Sequence, residues 1–281
     1  MFNSIIVPVD FEVDGDRALF VAAVLARRAA LPLTFVTVSS PGIDAAADEL
    51  LLDLRCARVS GARTDRVVLR SNNPAGTIVD FLDDRPGALV VMGTHARGPL
   101  GERLFGSVSE SVLAGTICPV VMVGPHVATT PPPAMATLVA GLDGSATSEA
   151  VLPTVSEWVR TFGGNPPWLV QVVEPRDSQP DDRGGDLSES GYLGRLAARL
   201  RDEGTPAEFD IAHGRRPVPS LLGVARRIPG PVLAVASERW TDRDSRHSFS
   251  TARALARQSP YPVLVVHAAA PADEMATTSV A

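Results

Sequence analysis

Apolar residues in this chain follow two rhythms. Short unbroken runs, IIVPV from residue 5, LTFVTV from 33, RVVLR from 66, ALVVM from 88 and CPVVMV from 118, are bounded by polar or turn-forming residues. Runs of this length, rich in Val and Ile, read as β-strands buried on both faces. Between them the spacing changes to three and four. Ala18, Leu19, Ala22, Leu25 and Ala26 fall on one face of a helix predicted over about 16–30, and a second helical stretch runs from Ala45 to Val59. Asn73-Pro74 opens a third helix, because Asn caps well and Pro suits the first helical position. Strands alternating with helices predict a parallel sheet with helices on both faces.

The pattern then starts again. TLVAGLD at 137–143 parallels SIIVPVD at 4–10, which sets Asp143 opposite Asp10 at an offset of 133. PWLVQVVEP parallels LPLTFVTVSS, PVLAVAS parallels ALVVMGT, and SPYPVLVV parallels TICPVVMV. The last two correspondences share an offset of 143, so about ten extra residues are expected in between, within EPRDSQPDDRGGD. HVATTPPPAMA (126–136) has three consecutive prolines and no periodicity, and reads as a linker. The predicted organisation is a first domain at 1–125, the linker, a second domain at 137–268 and a flexible tail at 269–281. The fold class is α/β: two tandem doubly wound domains, each with a five-stranded parallel-type sheet.

Composition narrows the function. At 281 residues the chain suits two domains, with 45% apolar and 21% charged residues. A net charge of −6 supplies no basic field for nucleic acid or an anionic membrane. Cys56 and Cys118 fit no zinc or C-x-x-C spacing and make no disulfide framework, which suits a reducing compartment. The start MFNSIIVPVDFE has no signal-peptide character and no apolar run reaches the length of a membrane span, so a soluble, cytoplasmic protein is expected.

Candidate chemistry lies in MGTHARGPLGERLFGSVSES (92–111), which follows the fourth strand and becomes a helix. In a doubly wound sheet, ligands bind beyond the carboxyl ends of the strands where the strand order reverses. Glycines there let backbone amides approach a ligand, and a helix starting at Gly106-Ser107 points unpaired N–H groups at the same space, which suits phosphate. A second explanation stands beside the first. Ser107-Val-Ser-Glu110 is an S-x-x-E capping box, and Gly98-Pro99 with Gly101 makes an ordinary turn. Neither a G-x-x-x-x-G-K-[ST] loop nor a G-x-G-x-x-G after the first strand is present.

With Asp10 ending VPVD, and Gly93, Ala96 and Gly106-Ser107 spaced close to G-x2-G-x9-G-[ST] after the fourth strand, the first half resembles the universal stress protein family. That resemblance covers nearly the whole chain as two tandem domains, of the kind grouped as adenine nucleotide alpha hydrolase-like. It implies ATP as ligand. Pro8, Val9 and Asp10 would line the nucleoside side, and Val38 would offer backbone hydrogen bonds to adenine. Met92 and Gly93 would run beneath the ribose and phosphates. Gly106, Ser107, Val108 and Ser109 would hold the phosphates. Ala96 departs from the family's second glycine, which bears on affinity. Glu12, Asp14 and Asp16 would repel a polyphosphate, offset by Arg97 and Arg103 or by a bridging Mg²⁺.

At the constant offset, Gly93, Ala96, Gly106 and Ser107 become Ala236, Arg239, Phe249 and Ser250, and SERWTDRDSRHSF between them has no glycine. The second domain is expected to keep the fold without this way of binding ATP. In the family the fifth strands, here CPVVMV and YPVLVV, pair across a pseudo-two-fold between domains; here that pairing would be internal, and two chains would associate as a dimer. No nucleophilic Ser/His/Asp or Cys/His arrangement is identifiable. The expectation is therefore a nucleotide-binding stress regulator or sensor rather than an enzyme. The alternatives are a weak ATPase and a partner-binding protein with a vestigial site.

Overall fold

The computed structural model describes residues 1–10, 16–42, 45–59, 61–94, 107–129, 135, 137–174, 183–237 and 248–268, with the backbone alone at 16, 45, 183–189 and 248–250. In the first half, strands β1 (Ser4–Pro8), β2 (Leu33–Ser39), β3 (Thr64–Arg70), β4 (Ala88–Gly93) and β5 (Val120–Val123) alternate with helices α1 (Asp16–Ala29), α2 (Ala45–Ala57), α3 (Pro74–Asp83) and α4 (Ser107–Gly115). The second half holds β6 (Thr137–Leu142), α5 (Ala146–Glu149), α6 (Leu152–Phe162), β7 (Trp168–Val173), α7 (Arg183–Asp202), β8 (Glu208–His213), α8 (Pro217–Ala225), β9 (Pro231–Ser237), α9 (Ser248–Gln258) and β10 (Val263–His267). Asn73 caps α3 as its sequence suggests, its side-chain oxygen accepting from the Gly76 N–H at 3.2 Å.

All ten strands form one sheet, ordered β3-β2-β1-β4-β5-β10-β9-β6-β7-β8. Each half is parallel within itself, and the order reverses beside β1 in one half and beside β6 in the other. The central strands β4, β5, β9 and β10 are buried along almost their whole length and β1 at its middle three residues, which is why they read as unbroken apolar runs. The edge strands β3 and β8 carry polar, partly exposed residues, as befits edges that must not recruit further strands.

The halves join where β5 and β10 pair antiparallel: Val120 with Val265, Val121 with Leu264, Met122 with Val263. At the offset of 143, Val121 and Leu264 are the same position of the repeat. The pseudo-two-fold therefore runs through that pair, as expected for fifth strands meeting within one chain. Two helix pairs flank this seam. On one face α1 meets α6: Phe2 stacks near Phe162 with ring centroids 5.9 Å apart, the Arg28 Nε donates to the Phe162 carbonyl at 2.5 Å, and the Met1 amino group pairs with Glu157 at 2.8 Å. On the other face α9 lies so close to Gly124 that a Cβ there would stand 2.1 Å from the Ala256 carbonyl oxygen.

The extra length of the second half falls where expected. Trp168 takes the place of Thr34 in the strand register, an offset of 134, whereas Glu208 takes that of Asp65, an offset of 143. The added residues lie in the β7–β8 crossover, where α7 has 20 residues against 13 in α2. The stretch read as a linker is buried near both its ends: Val127 and Met135 are buried, and the Val127 carbonyl accepts from the Arg17 Nε at 3.1 Å. An apolar side chain in a polar stretch finds cover against the adjoining core. Trp158 is fully buried as a core residue, while Trp168 is only half-buried.

Candidate functional site

The site begins where β1 stops. Pro8 pairs with Val36, and β2 continues three residues further, to Ser39. The Val36 carbonyl accepts from the Val9 N–H at 2.8 Å, so the Val36 peptide groups point toward β1. Peptide direction alternates along a strand, which turns the Val38 N–H and carbonyl to the same side, into the space past Pro8. On the opposite flank the Thr94 N–H donates to the Val123 carbonyl of β5 at 3.1 Å. Gly93, one residue out of phase, faces the β1 side. The result is a crevice at the reversal of strand order, floored by the end of β1 and walled by main chain from β2 and β4.

Around it, Pro8 is half-buried, Val9 buried and Asp10 exposed; Val38 and Gly93 are half-buried and Met92 is buried. Helix α4 opens at the same end of the sheet. Its Ser107 is exposed, Val108 and Ser109 are half-buried, and the Ser109 hydroxyl donates to the Gly93 carbonyl at 3.1 Å. That bond ties the first turn of α4 to the last residue of β4. The structure thus brings together Pro8, Val9, Asp10, Val38, Met92, Gly93, Ser107, Val108 and Ser109 at one end of the first half-sheet. Ala96, Arg97 and Gly106 lie outside the described residues, as do Glu12, Asp14 and Arg103.

Three groups near this end escaped the sequence reading. The hydroxyls of Ser39 and Thr94, at the ends of β2 and β4, are buried and find no hydrogen-bond partner among the described residues, a costly state for a polar atom unless a ligand or water serves it. Both belong to strand-end runs whose other residues were assigned roles, so position was the available signal. Arg55 of α2 is the third: burial pushes its guanidinium down, Arg58 adds to that, and the Asp10 carboxylate opposes it. A cation from the β2–β3 crossover therefore shares the field of Asp10. Among the described residues no group of His, Cys, Asp and Glu is placed to hold a metal ion.

The matching place in the second half is differently filled. Asp143 ends β6 as Asp10 ends β1, but its carboxylate accepts from the Ser145 N–H at 2.9 Å and the Ser145 hydroxyl at 2.6 Å. Ser145 caps α5 through the Ser148 N–H at 3.1 Å, and the Ser148 hydroxyl accepts from the Asp143 N–H at 3.2 Å. Gly144 permits this turn with a φ of +86°. Burial alone would raise the Asp143 pKa, but the hydrogen bonds from Ser145 outweigh it and pull the carboxyl below its ordinary range. Beyond it the Tyr192 hydroxyl of α7 donates to Glu149 at 3.2 Å. The loop from Arg239 to Phe249 falls outside the residues whose side chains are described.

Known proteins share this fold. Residues 1–124 match the sequence model of the Universal stress protein family. Universal stress proteins of Mycobacterium bovis and Mycobacterium tuberculosis are 36% identical over 78 residues, which is 28% of this chain and 26% of each relative, about a quarter of their length. The crystal structure of a universal stress protein from Archaeoglobus fulgidus superimposes with a TM-score of 0.67 at 18% identity, covering 94% of this chain and 98% of that one, and so shares the two-part fold. Another from the same organism, determined in complex with dAMP, is 26% identical over 43% of this chain with a TM-score of 0.34. No helix among the described residues is long and apolar enough to cross a membrane. Residues 1–124 of this chain are thus similar in sequence to the universal stress protein family, and the chain as a whole shares the fold of the Archaeoglobus protein.

Proposed function

We propose that the first half binds ATP in the crevice beyond β1, and that occupancy of this site is the signal the protein carries as a stress-response regulator. One observation bears most of the weight: β2 and β4 outrun β1, so that the main chain of Val38 and Gly93 faces a shared gap next to the opening turn of α4. A planar base asks for backbone hydrogen bonds at one end of such a gap and a polyphosphate asks for amides at the other.

In this reading Val38 meets adenine, while Pro8, Val9 and Asp10 flank the nucleoside. Met92 and Gly93 pass beneath it, and Gly106, Ser107, Val108 and Ser109 hold the phosphates, with Ala96 and Arg97 in the loop between. ATP supplies a recognisable polyanion rather than a reaction. Mg²⁺, where it takes part, travels with the phosphates, because the acids close to Asp10 in sequence need a cation between them and a polyphosphate. The protein works in the cytoplasm, and a dimer of chains is the form that senses the nucleotide.

Calorimetric titration of the full chain with ATP and Mg²⁺ tests this. The expected result is one nucleotide per chain, with binding abolished by Gly106→Val and no second site created by Phe249→Gly. Equal binding by the Gly106→Val variant would move the phosphate site elsewhere, and no binding by the unaltered protein would overturn the proposal. Turnover of saturating ATP well above background would favour an ATPase.

A further inference from the structure

Glu110 lies in the first turn of α4, the helix whose start is assigned to the phosphates, and its carboxylate is held by a residue from the other half. The Arg253 guanidinium of α9 stands 2.9 Å from the Glu110 carboxylate. At the offset of 143, Glu110 and Arg253 are the same position of the repeat. The pseudo-two-fold that joins β5 to β10 brings this position against its own duplicate, and the duplicates carry opposite charge.

Such a pair does little for stability. The two side chains are 36% and 47% exposed, and ion pairs in that setting contribute little to folding. Its place suggests a different use. A carboxylate in the first turn of a helix and an anion bound at the helix start compete for the same positive end of the dipole. Uncompensated, Glu110 would repel a polyphosphate; compensated by Arg253, it would not.

We infer that Arg253 is a positioning residue for the first half's anion site: the second half, lacking its own glycine loop, supplies the cation that cancels Glu110 and so raises affinity for nucleoside polyphosphates. This rests on the nucleotide reading of the first half. It gives the second half a part in ligand binding that needs no ligand of its own. It also makes the affinity sensitive to any shift of α9 against α4, and hence to how the two halves are seated.

The test uses ATP with Mg²⁺ as probe and four full-length proteins: the unaltered chain, Arg253→Gln, Glu110→Gln and the double variant. Removing the cation leaves Glu110 uncompensated, and ATP affinity should fall about three- to five-fold. Glu110→Gln removes the repulsion, so affinity should stay level or rise, and the double variant should follow Glu110→Gln. If the pair merely held the halves together, both single variants would break it and weaken ATP alike. That outcome, or a double variant as weak as Arg253→Gln, overturns the inference while leaving nucleotide binding intact. An unaltered protein that fails to bind ATP would instead overturn the nucleotide reading itself. Thermal melts of the four proteins without nucleotide should nearly coincide, which keeps a folding defect from imitating the effect.

Discussion

The crevices beyond β1 and β6 hold equivalent places in one repeated unit, yet they are finished in opposite ways. Beyond β1 the chain leaves strand-end peptide groups of Val38 and Gly93 facing a gap. Beyond β6 it spends its polar groups on itself: Asp143, Ser145 and Ser148 close a ring of hydrogen bonds that starts α5 at once. The first arrangement leaves hydrogen-bonding capacity for a visitor. The second consumes the capacity of Asp143, Ser145 and Ser148 in local structure, although the Gln171 side-chain oxygen at the same end is buried without a partner among the described residues. Duplication preserved the sheet, because the sheet is specified by apolar runs, and let the two ends diverge, because strand-end polar residues are under no packing demand.

The largest effect should come from the seam that sets the two ends relative to each other. Gly124 follows β5, and the same position of the second half is His267. The side with the small residue is the side on which α9 comes close, its Ala256 carbonyl 2.1 Å from where a Cβ would be. Backbone cannot yield there as a flexible side chain would. Gly124→Ala is expected to cost about 1–3 kcal/mol, seen as a lower midpoint in urea melts, since the clash forces α9 off the sheet. A variant as stable as the unaltered protein would show that α9 is free to retreat and that the seam is not closely fitted.

How much of this was legible beforehand follows from what each residue has to satisfy. IIVPV, ALVVM, PVLAVAS and PVLVV declared themselves because strands buried on both faces are almost wholly apolar. The seam itself followed from two such runs near the ends of the halves. TDRVVLR and EFDIAH are edge strands and carry a weaker signal. The splitting of the first helix of the second half into α5 and α6 reflects Pro153 together with the Asp143 turn, a matter of hydrogen bonding that periodicity does not register. At the site, Asp10 and Gly93 stand out by motif spacing, whereas Val38 and Ser109 follow only from the family resemblance; the structure sets all four at one end of the first half-sheet. Arg55, Ser39 and Thr94 were not legible, since their significance depends on neighbours brought in by other strands and helices. Glu110 and Arg253 stood aligned with opposite signs, but only the fold makes that alignment a contact.

A smaller effect should come from pH at Asp143. Hydrogen bonds from Ser145 hold the folded Asp143 pKa below its ordinary value of 3.8. A depressed carboxyl binds fewer protons in the folded state than in the unfolded one, so its stabilising contribution is complete above about pH 4 and fades as pH falls through the folded value. Asp143→Asn should therefore flatten the acid limb of stability, measured as the urea midpoint between about pH 6 and pH 3. It should leave ATP binding in the first half unchanged. An acid limb as steep as before would show that the ring around α5 does not depend on the charge of Asp143.

The smallest effect is spectroscopic and concerns the same end of the second half. The chain has two tyrosines, Tyr192 and Tyr261. Burial, and then the Glu149 carboxylate that its hydroxyl touches, push Tyr192 up to about 12. In the folded protein its tyrosinate absorbance should thus emerge only near that pH. Glu149→Gln removes the negative charge while keeping an acceptor, so the transition should move down toward the ordinary value. Burial, the larger cause, remains, and the shift should be partial. An unmoved transition would mean that the cover of α7 alone sets it, and that the β6 end is closed by packing rather than by its polar ring. That outcome would narrow the contrast with the β1 end to hydrogen bonding at Asp143 alone, since Glu149 would then be a bystander.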